Sequence, residues 1–136
     1  MSQAGTSMKQ QKSDRSLTRV DMKLEVDIIP VSDVERSKQF YQRLGWRLDD
    51  DLAPATDVRL IQFTPPGSAC SITFGKGITA AAPGSAHGGL VVSDIEAAHE
   101  EFLGRGIDAS EVWHGPPFPP KARLSEIGRA SCRERV

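Results

Sequence analysis

Several chemistries are ruled out by what this 136-residue chain has little of. Two cysteines, Cys70 and Cys132, give neither a disulfide framework nor metal-ligand spacing. Cys70 lies in an apolar run and reads as a small buried hydrophobe rather than a nucleophile. There is no excess of positive charge: 17 Lys and Arg stand against 18 Asp and Glu, a formal net charge of −1. Such a balance offers no field for a phosphate backbone, so nucleic acid is not expected as a partner. The basic residues near the start (Lys9, Lys12, Arg15, Arg19) are diluted among Ser, Thr and Gln and read as a solvated tail. No apolar run approaches the roughly 20 residues that cross a bilayer. The first twenty residues lack a secretory apolar core, which makes the cytoplasm the expected location.

What is present is a repeat. Val31-Ser32-Asp33-Val34-Glu35 returns sixty-one residues later as Val92-Ser93-Asp94-Ile95-Glu96. A glycine follows each aspartate by twelve positions, Gly45 and Gly106. Each copy has an apolar run before it and an apolar, partly β-branched run after it. Lys23–Val31 predicts a strand and Ser32 or Asp33 a helix cap. Val34, Ser37, Phe40, Tyr41 and Leu44 recur at helical spacing, and Gly45 supplies the left-handed stop. Trp46–Asp50 predicts a short strand, with Asp49, Asp50 and Asp51 in a solvated turn after it. Val58–Phe63 and Ala69–Phe74 predict two more strands, separated by the turn residues Pro65, Pro66 and Gly67. The first unit, residues 23–75, is therefore βαβββ. A small-residue connector, Gly75–Ser85, leads to a second unit, 86–125. There His87–Val92 predicts a strand, Asp94–Arg105 a helix and Ile107–Trp113 another strand.

After His114 the repeat fails. Gly115–Pro120 reads as a turn or polyproline-like loop, and Lys121–Val136 carries no clear strand. Residues 1–21 have no periodicity and are expected to be disordered. Glu126–Val136 resembles the translation of a sequencing-adapter oligonucleotide joined to a reading frame. On that reading residues 126–136 are non-native, the domain is 22–125, and the natural gene continues past about Ser125. A native basic terminus is the alternative.

Three stretches carry a family resemblance: Pro30–Tyr41, Leu44-Gly45-Trp46, and Leu90–Ala98. Together with the paired βαβββ units they resemble the vicinal oxygen chelate superfamily, the glyoxalase, bleomycin-resistance and dioxygenase proteins. The resemblance spans roughly Lys23 to His114. It implies an α+β fold in which two βαβββ units form paired half-barrels around a cleft, the second unit being incomplete. It also implies a metal position seven residues before each aspartate, usually histidine. Those positions are Val26 and His87 here. Val26 has no lone pair to give, and Gln62, near the family's carboxylate position, is a weak ligand. His87 is the metal candidate, with an ordinary strand-end histidine as the leading alternative. One imidazole does not hold zinc, which needs at least three protein ligands.

Val26, Gln62, His87, Trp113 and His114 are the pocket-lining candidates, and His99 reads as a surface residue on the second helix. No catalytic arrangement stands out. Ser32 and Ser93 are explained by helix capping, and Gly75-Lys76-Gly77 lacks the rest of a phosphate loop. The expectation is a small-molecule-binding protein of this superfamily without a complete metal site in this chain. No cofactor is predicted, although a divalent metal stays open for the intact protein. A metal-dependent lyase, isomerase or dioxygenase is one alternative, and a non-catalytic interaction domain another. Whether the protein is an enzyme stays open at this point. Missing strands would leave an unpaired sheet edge, so a homodimer joins the expectations.

Overall fold

The computed structural model describes residues 19–114 and 128–129. The expected N-terminal tail up to residue 18, the proline loop at 115–120 and most of the adapter-like tail lie outside the described residues. The first unit forms as expected. Its elements are β1 (Val26–Ile28), α1 (Val34–Arg43), β2 (Arg47–Ala55), β3 (Val58–Thr64) and β4 (Ser71–Lys76). They build an open four-stranded sheet in the order β1-β4-β3-β2, with β1 parallel to β4 and the other pairs antiparallel. The second unit contributes α2 (Ile95–Gly104) and β5 (Trp113–His114), and β5 pairs with β6 (Gly128–Arg129) in a separate ladder.

The repeat is visible at the level of single hydrogen bonds. Asp33 caps α1 by accepting from the Arg36 N–H at 3.0 Å, and Asp94 caps α2 by accepting from the Ala97 N–H at 3.0 Å. At the other end Gly45 has φ 75° and Gly106 φ 73°. The Gly45 N–H donates to the Gln42 carbonyl and that of Gly106 to Leu103, both at 3.0 Å. The Trp46 N–H then donates to the Tyr41 carbonyl (3.3 Å) and that of Ile107 to Phe102 (2.9 Å). This pair of bonds is the Schellman arrangement, which satisfies the last carbonyls of a helix and requires the left-handed residue that glycine supplies. In the first copy it also sets Trp46 against Tyr41, with ring centroids 5.2 Å apart.

The core sits between α1 and one face of the sheet. Ile61, Phe63 and Phe74 are fully buried there beneath Phe40, Tyr41 and Leu44 of the helix side. Ile107, just past the α2 stop, is buried in this same cluster, and Phe102 packs against it. Arg105 reaches across to the end of α1. It donates to the Arg43 carbonyl at 3.5 Å, and its guanidinium lies over Gly45. The second helix therefore leans on the first unit.

The structure departs from the sequence expectations at five places. β1 is limited to Val26–Ile28, although the Ile29 N–H still donates to the Thr73 carbonyl. β2 runs on to Ala55, so Asp49–Asp51 belong to a strand and not to a solvated turn; the reversal falls at Thr56 and Asp57. His87–Val92 forms no strand, because among the described residues no sheet partner lies beside it. Ile107 enters the core as a single anchor, and of the expected strand Ile107–Trp113 only Trp113 belongs to β5, which runs on to His114. His99 is not a simple surface residue: its Nε2 is buried without a hydrogen-bond partner among the described residues.

A charged lattice fastens α1 to the sheet. The Arg59 guanidinium holds the Asp51 carboxylate at both oxygens, each at 3.0 Å, and also donates to Glu35. Lys38, one turn along α1 from Glu35, donates to Asp51 at 2.7 Å. The Arg59 and Lys38 hydrogen bonds hold the Asp51 carboxyl at a pKa of about 2, below its ordinary 3.8. A depressed carboxyl stabilises the fold only while it is ionised. Its contribution is therefore complete above about pH 4 and fades as the pH falls toward 2. Partial exposure screens the pair. Asp51→Asn is expected to cost about 1 kcal/mol at pH 7 and to flatten the stability profile between pH 4 and 2, measured by urea unfolding across pH.

Candidate functional site

The face of the sheet away from α1 is assembled by register. Opposed residues share a face, so Ile61/Phe74 and Phe63/Ile72 lie under the helix. Leu60/Gly75, Gln62/Thr73 and the neighbouring Thr64 and Ser71 lie on the other side. Val26 pairs with Ser71 and Ile28 with Thr73, which places both aliphatic side chains on that outer face. On β2, Leu52 opposes Leu60 and joins them.

An irregularity between Leu48 and Asp50 changes what β2 presents. Strict alternation would put Asp49 and Asp51 on one face and Asp50 on the other. The bulge inserts one residue, so Asp49 and Asp50 both fall on the outer face and Asp51 swings to the helix side. Asp51 is thereby delivered to Arg59 and Lys38. Asp49 is delivered to Thr64, whose hydroxyl donates to its carboxylate. The Thr64 and Ser71 hydroxyl oxygens are 2.7 Å apart. Because Thr64 commits its proton to Asp49, Ser71 is the donor to Thr64 in this pair. The Thr64 hydroxyl first, and the Arg47 Nε–H at 2.6 Å second, hold the Asp49 carboxyl below the ordinary carboxylate range. Beside this chain the Thr73 hydroxyl points to Gln62 Oε1 at 3.4 Å, a long contact.

The result is a surface with two halves. Val26, Ile28 and Leu52 are 42%, 45% and 53% exposed, a large apolar share for sheet residues. Between them run an ionised carboxylate and a line of buried hydroxyls from Thr64, Ser71 and Thr73. Such a face can hold a molecule with an apolar body and a few hydrogen-bonding groups. Of the five pocket candidates, Val26 and Gln62 meet here. His87 lies in an exposed segment outside the strands. Half-buried Trp113 lies on the separate β5–β6 ladder, and His114 shares that strand. Asp49, Thr64, Ser71, Ile28 and Leu52 escaped the sequence reading. The alternation of Leu60, Gln62 and Thr64 with Ile61 and Phe63 was the available signal for one of the strands.

Among the described residues, the metal that the resemblance implies finds no donor set. Val26 occupies the first-strand ligand position with a hydrocarbon, and His87 is off the sheet. Among the described residues no three His, Cys, Asp or Glu side chains cluster as a metal site. No described helix is long and apolar enough to cross a membrane.

Comparison with known proteins places the fold. The family model for the bleomycin resistance protein-like N-terminal region matches residues 28–53, which take in α1 and most of the bulged strand. An antibiotic binding protein from Streptomyces sp. CB03234, TnmS3, is 28% identical, with a TM-score of 0.56 over 77% of this chain and 84% of that one. A glyoxalase/bleomycin resistance protein from the same organism is 29% identical, with a TM-score of 0.54 over 72% and 83%. The chain is similar to the glyoxalase and bleomycin resistance proteins, in sequence over its first helix and second strand and in fold over most of the described residues. A further member of this glyoxalase/bleomycin resistance protein/dioxygenase group, from Sphaerobacter thermophilus DSM 20745, shares the fold at 24% identity, with a TM-score of 0.55 over 71% and 82%. No curated protein sequence matches the chain. Within the βαβββ unit, the outer face described above is the surface that the helix leaves uncovered.

Proposed function

We propose that this chain is a vicinal oxygen chelate protein that binds a small, partly apolar molecule on the outer face of its sheet, and does so without a metal. The observation that carries this reading is the joint placement of exposed Val26, Ile28 and Leu52 around the Ser71–Thr64–Asp49 chain. Burying half-exposed aliphatic side chains under a ligand supplies affinity, at roughly 25 cal/mol per Å² of apolar area removed from water. The fixed carboxylate and hydroxyls supply orientation. Sequestration needs no metal, which agrees with a valine at the first-strand ligand position. A solved relative that is an antibiotic binding protein supports the ligand class. The protein works as a soluble domain in the cytoplasm on this reading, with residues 22–125 as the functional unit, and it self-associates as a homodimer.

Calorimetric titration of the full chain with bleomycin and with the apolar dye 1-anilinonaphthalene-8-sulfonate tests the reading in metal-free buffer. At least one of the two is expected to bind, and Ile28→Lys or Leu52→Lys is expected to weaken that binding about tenfold, near 1.4 kcal/mol. Both side chains are exposed, so neither change threatens the core. Binding that ignores both substitutions, or no binding of either probe, overturns the site. Stoichiometric submicromolar uptake of Zn²⁺, Ni²⁺ or Fe²⁺ overturns the metal-free part.

A further inference from the structure

The outer face runs into a cleft at one end of the sheet. Arg47 opposes Thr64 in the β2–β3 ladder, so the two share that face. Both also line a cleft of about 620 Å³, together with Gly45 and the turn at 65–69 that joins β3 to β4. Small-molecule sites span roughly 300–1,000 Å³, so the cleft is large enough for one end of a ligand.

Its lining has hydrogen-bond donors to give. A guanidinium carries several N–H groups, and Arg47 commits only Nε, to Asp49 at 2.6 Å. The terminal N–H groups of Arg47 have no partner among the described residues. Nor do the Gly67 and Ala69 amides of the turn, whereas that of Ser68 donates to the Pro65 carbonyl. The hydroxyl protons are already committed: Thr64 donates to Asp49, and Ser68 to the Cys70 carbonyl. What stays uncommitted is N–H, which calls for an acceptor.

The charges agree. The Arg47 side chain is 74% exposed and that of Asp49 17%, so an incoming molecule meets the cation of the pair. Asp49 does not line the cleft. A helix end ordinarily presents negative carbonyls, but those at the end of α1 are covered. The Phe40, Tyr41 and Gln42 carbonyls accept from the Leu44, Trp46 and Gly45 N–H groups, and that of Arg43 from the Arg105 guanidinium. Arg105, paired with Glu101, also lies over Gly45 and brings a second positive group to the rim.

We infer that the molecule held on the outer face carries an oxyanion (a carboxylate, sulfonate or phosphate) and that the Arg47 guanidinium receives it in this cleft. The planar fork of arginine takes such groups through paired, parallel N–H bonds. Val26, Ile28 and Leu52 then hold the apolar body, while Arg47 fixes one end and so the direction in which the molecule lies. This inference rests on the outer-face reading above and names the group that its ligand bears.

Two dyes that differ by one sulfonate test it. 1-Anilinonaphthalene-8-sulfonate and the neutral N-phenyl-1-naphthylamine share the same rings, and fluorescence titration of the full chain measures both. The sulfonate dye is expected to bind about tenfold more tightly, the scale of a charge-assisted bidentate contact. Arg47→Gln is expected to abolish that preference and to leave the neutral dye's affinity unaltered, which also shows that the variant is folded. Arg47→Lys keeps a point charge without the fork and should retain only part of the preference. Lys76→Gln removes the same charge from the far end of β4 and should leave the preference intact. Equal affinity for the two dyes, or a preference that survives Arg47→Gln, overturns the oxyanion site and leaves the apolar face standing. A preference lost equally in Lys76→Gln marks general charge attraction and overturns the site too. Binding of neither dye overturns both the site and the outer-face reading.

Discussion

Phe63→Ala is expected to remove about 3–5 kcal/mol of stability, the range for emptying a large aromatic site in a packed core. Phe63 is wholly buried and belongs to a group of rings centred on Tyr41. It stacks on Phe74, with centroids 6.0 Å apart and planes inclined by 7°, and touches Tyr41 at 5.7 Å. Tyr41 in turn reaches Phe74 at 5.4 Å, Trp46 at 5.2 Å and Phe40 at 5.0 Å. Removing one ring therefore loosens the others as well as leaving a cavity. Against a total stability of about 5–15 kcal/mol, the loss removes much of what holds a small domain together. Urea unfolding followed by tryptophan fluorescence reads it, because Trp46 sits against the disturbed rings. Phe63→Leu keeps much of the volume and is expected to lose roughly 1.5 kcal/mol. A Phe63→Ala loss below about 1 kcal/mol would contradict the packing described here.

Gly75→Ala should come second, at about 2–3 kcal/mol, the upper part of the range for forcing atoms into an occupied site. Gly75 lies inside β4 opposite Leu60, and a Cβ there would fall 1.8 Å from the Arg59 carbonyl oxygen and 2.7 Å from its carbon. No rotamer relieves a clash with backbone, so β3 itself must move. Glycine within a strand marks this kind of close approach. The displaced residue is the one that clamps Asp51 and Glu35. A second signature is therefore expected: the acid-side stability profile of Gly75→Ala should flatten between pH 4 and 2, as it does for Asp51→Asn. A substitution that leaves urea unfolding unaltered would show that β3 and β4 are not as close as described.

Much of the first unit was legible because its signals act over a few residues. A cap aspartate, a helical spacing of apolar residues and a stop glycine fix α1 without reference to anything distant. The same signals fixed α2, and the hydrogen bonds of the two copies agree one for one. Strands were harder. β3 and β4 were bounded to within a residue or two by Pro65, Pro66 and Gly67, which force a reversal whatever the surroundings. Asp49, Asp50 and Asp51 read as a turn because three successive carboxylates look solvated in isolation. In the fold, one is paired with Arg59 and Lys38 and another accepts from Thr64, so their charge is compensated by residues outside the local pattern.

By itself, the chain's order of residues determined two capped helices of matched length, the βαβββ order of the first unit and the aromatic composition of its core. Each follows from neighbours in sequence, or from hydrophobic residues that have only one way to be buried. Only the tertiary structure decided which face Asp49 and Asp51 take, that Ile107 serves the first unit's core, and that His87–Val92 stays outside the sheet. A bulge shifts every later side chain on its strand to the opposite face, and an edge is a strand only when something lies beside it. Both depend on partners that chain-local patterns do not contain.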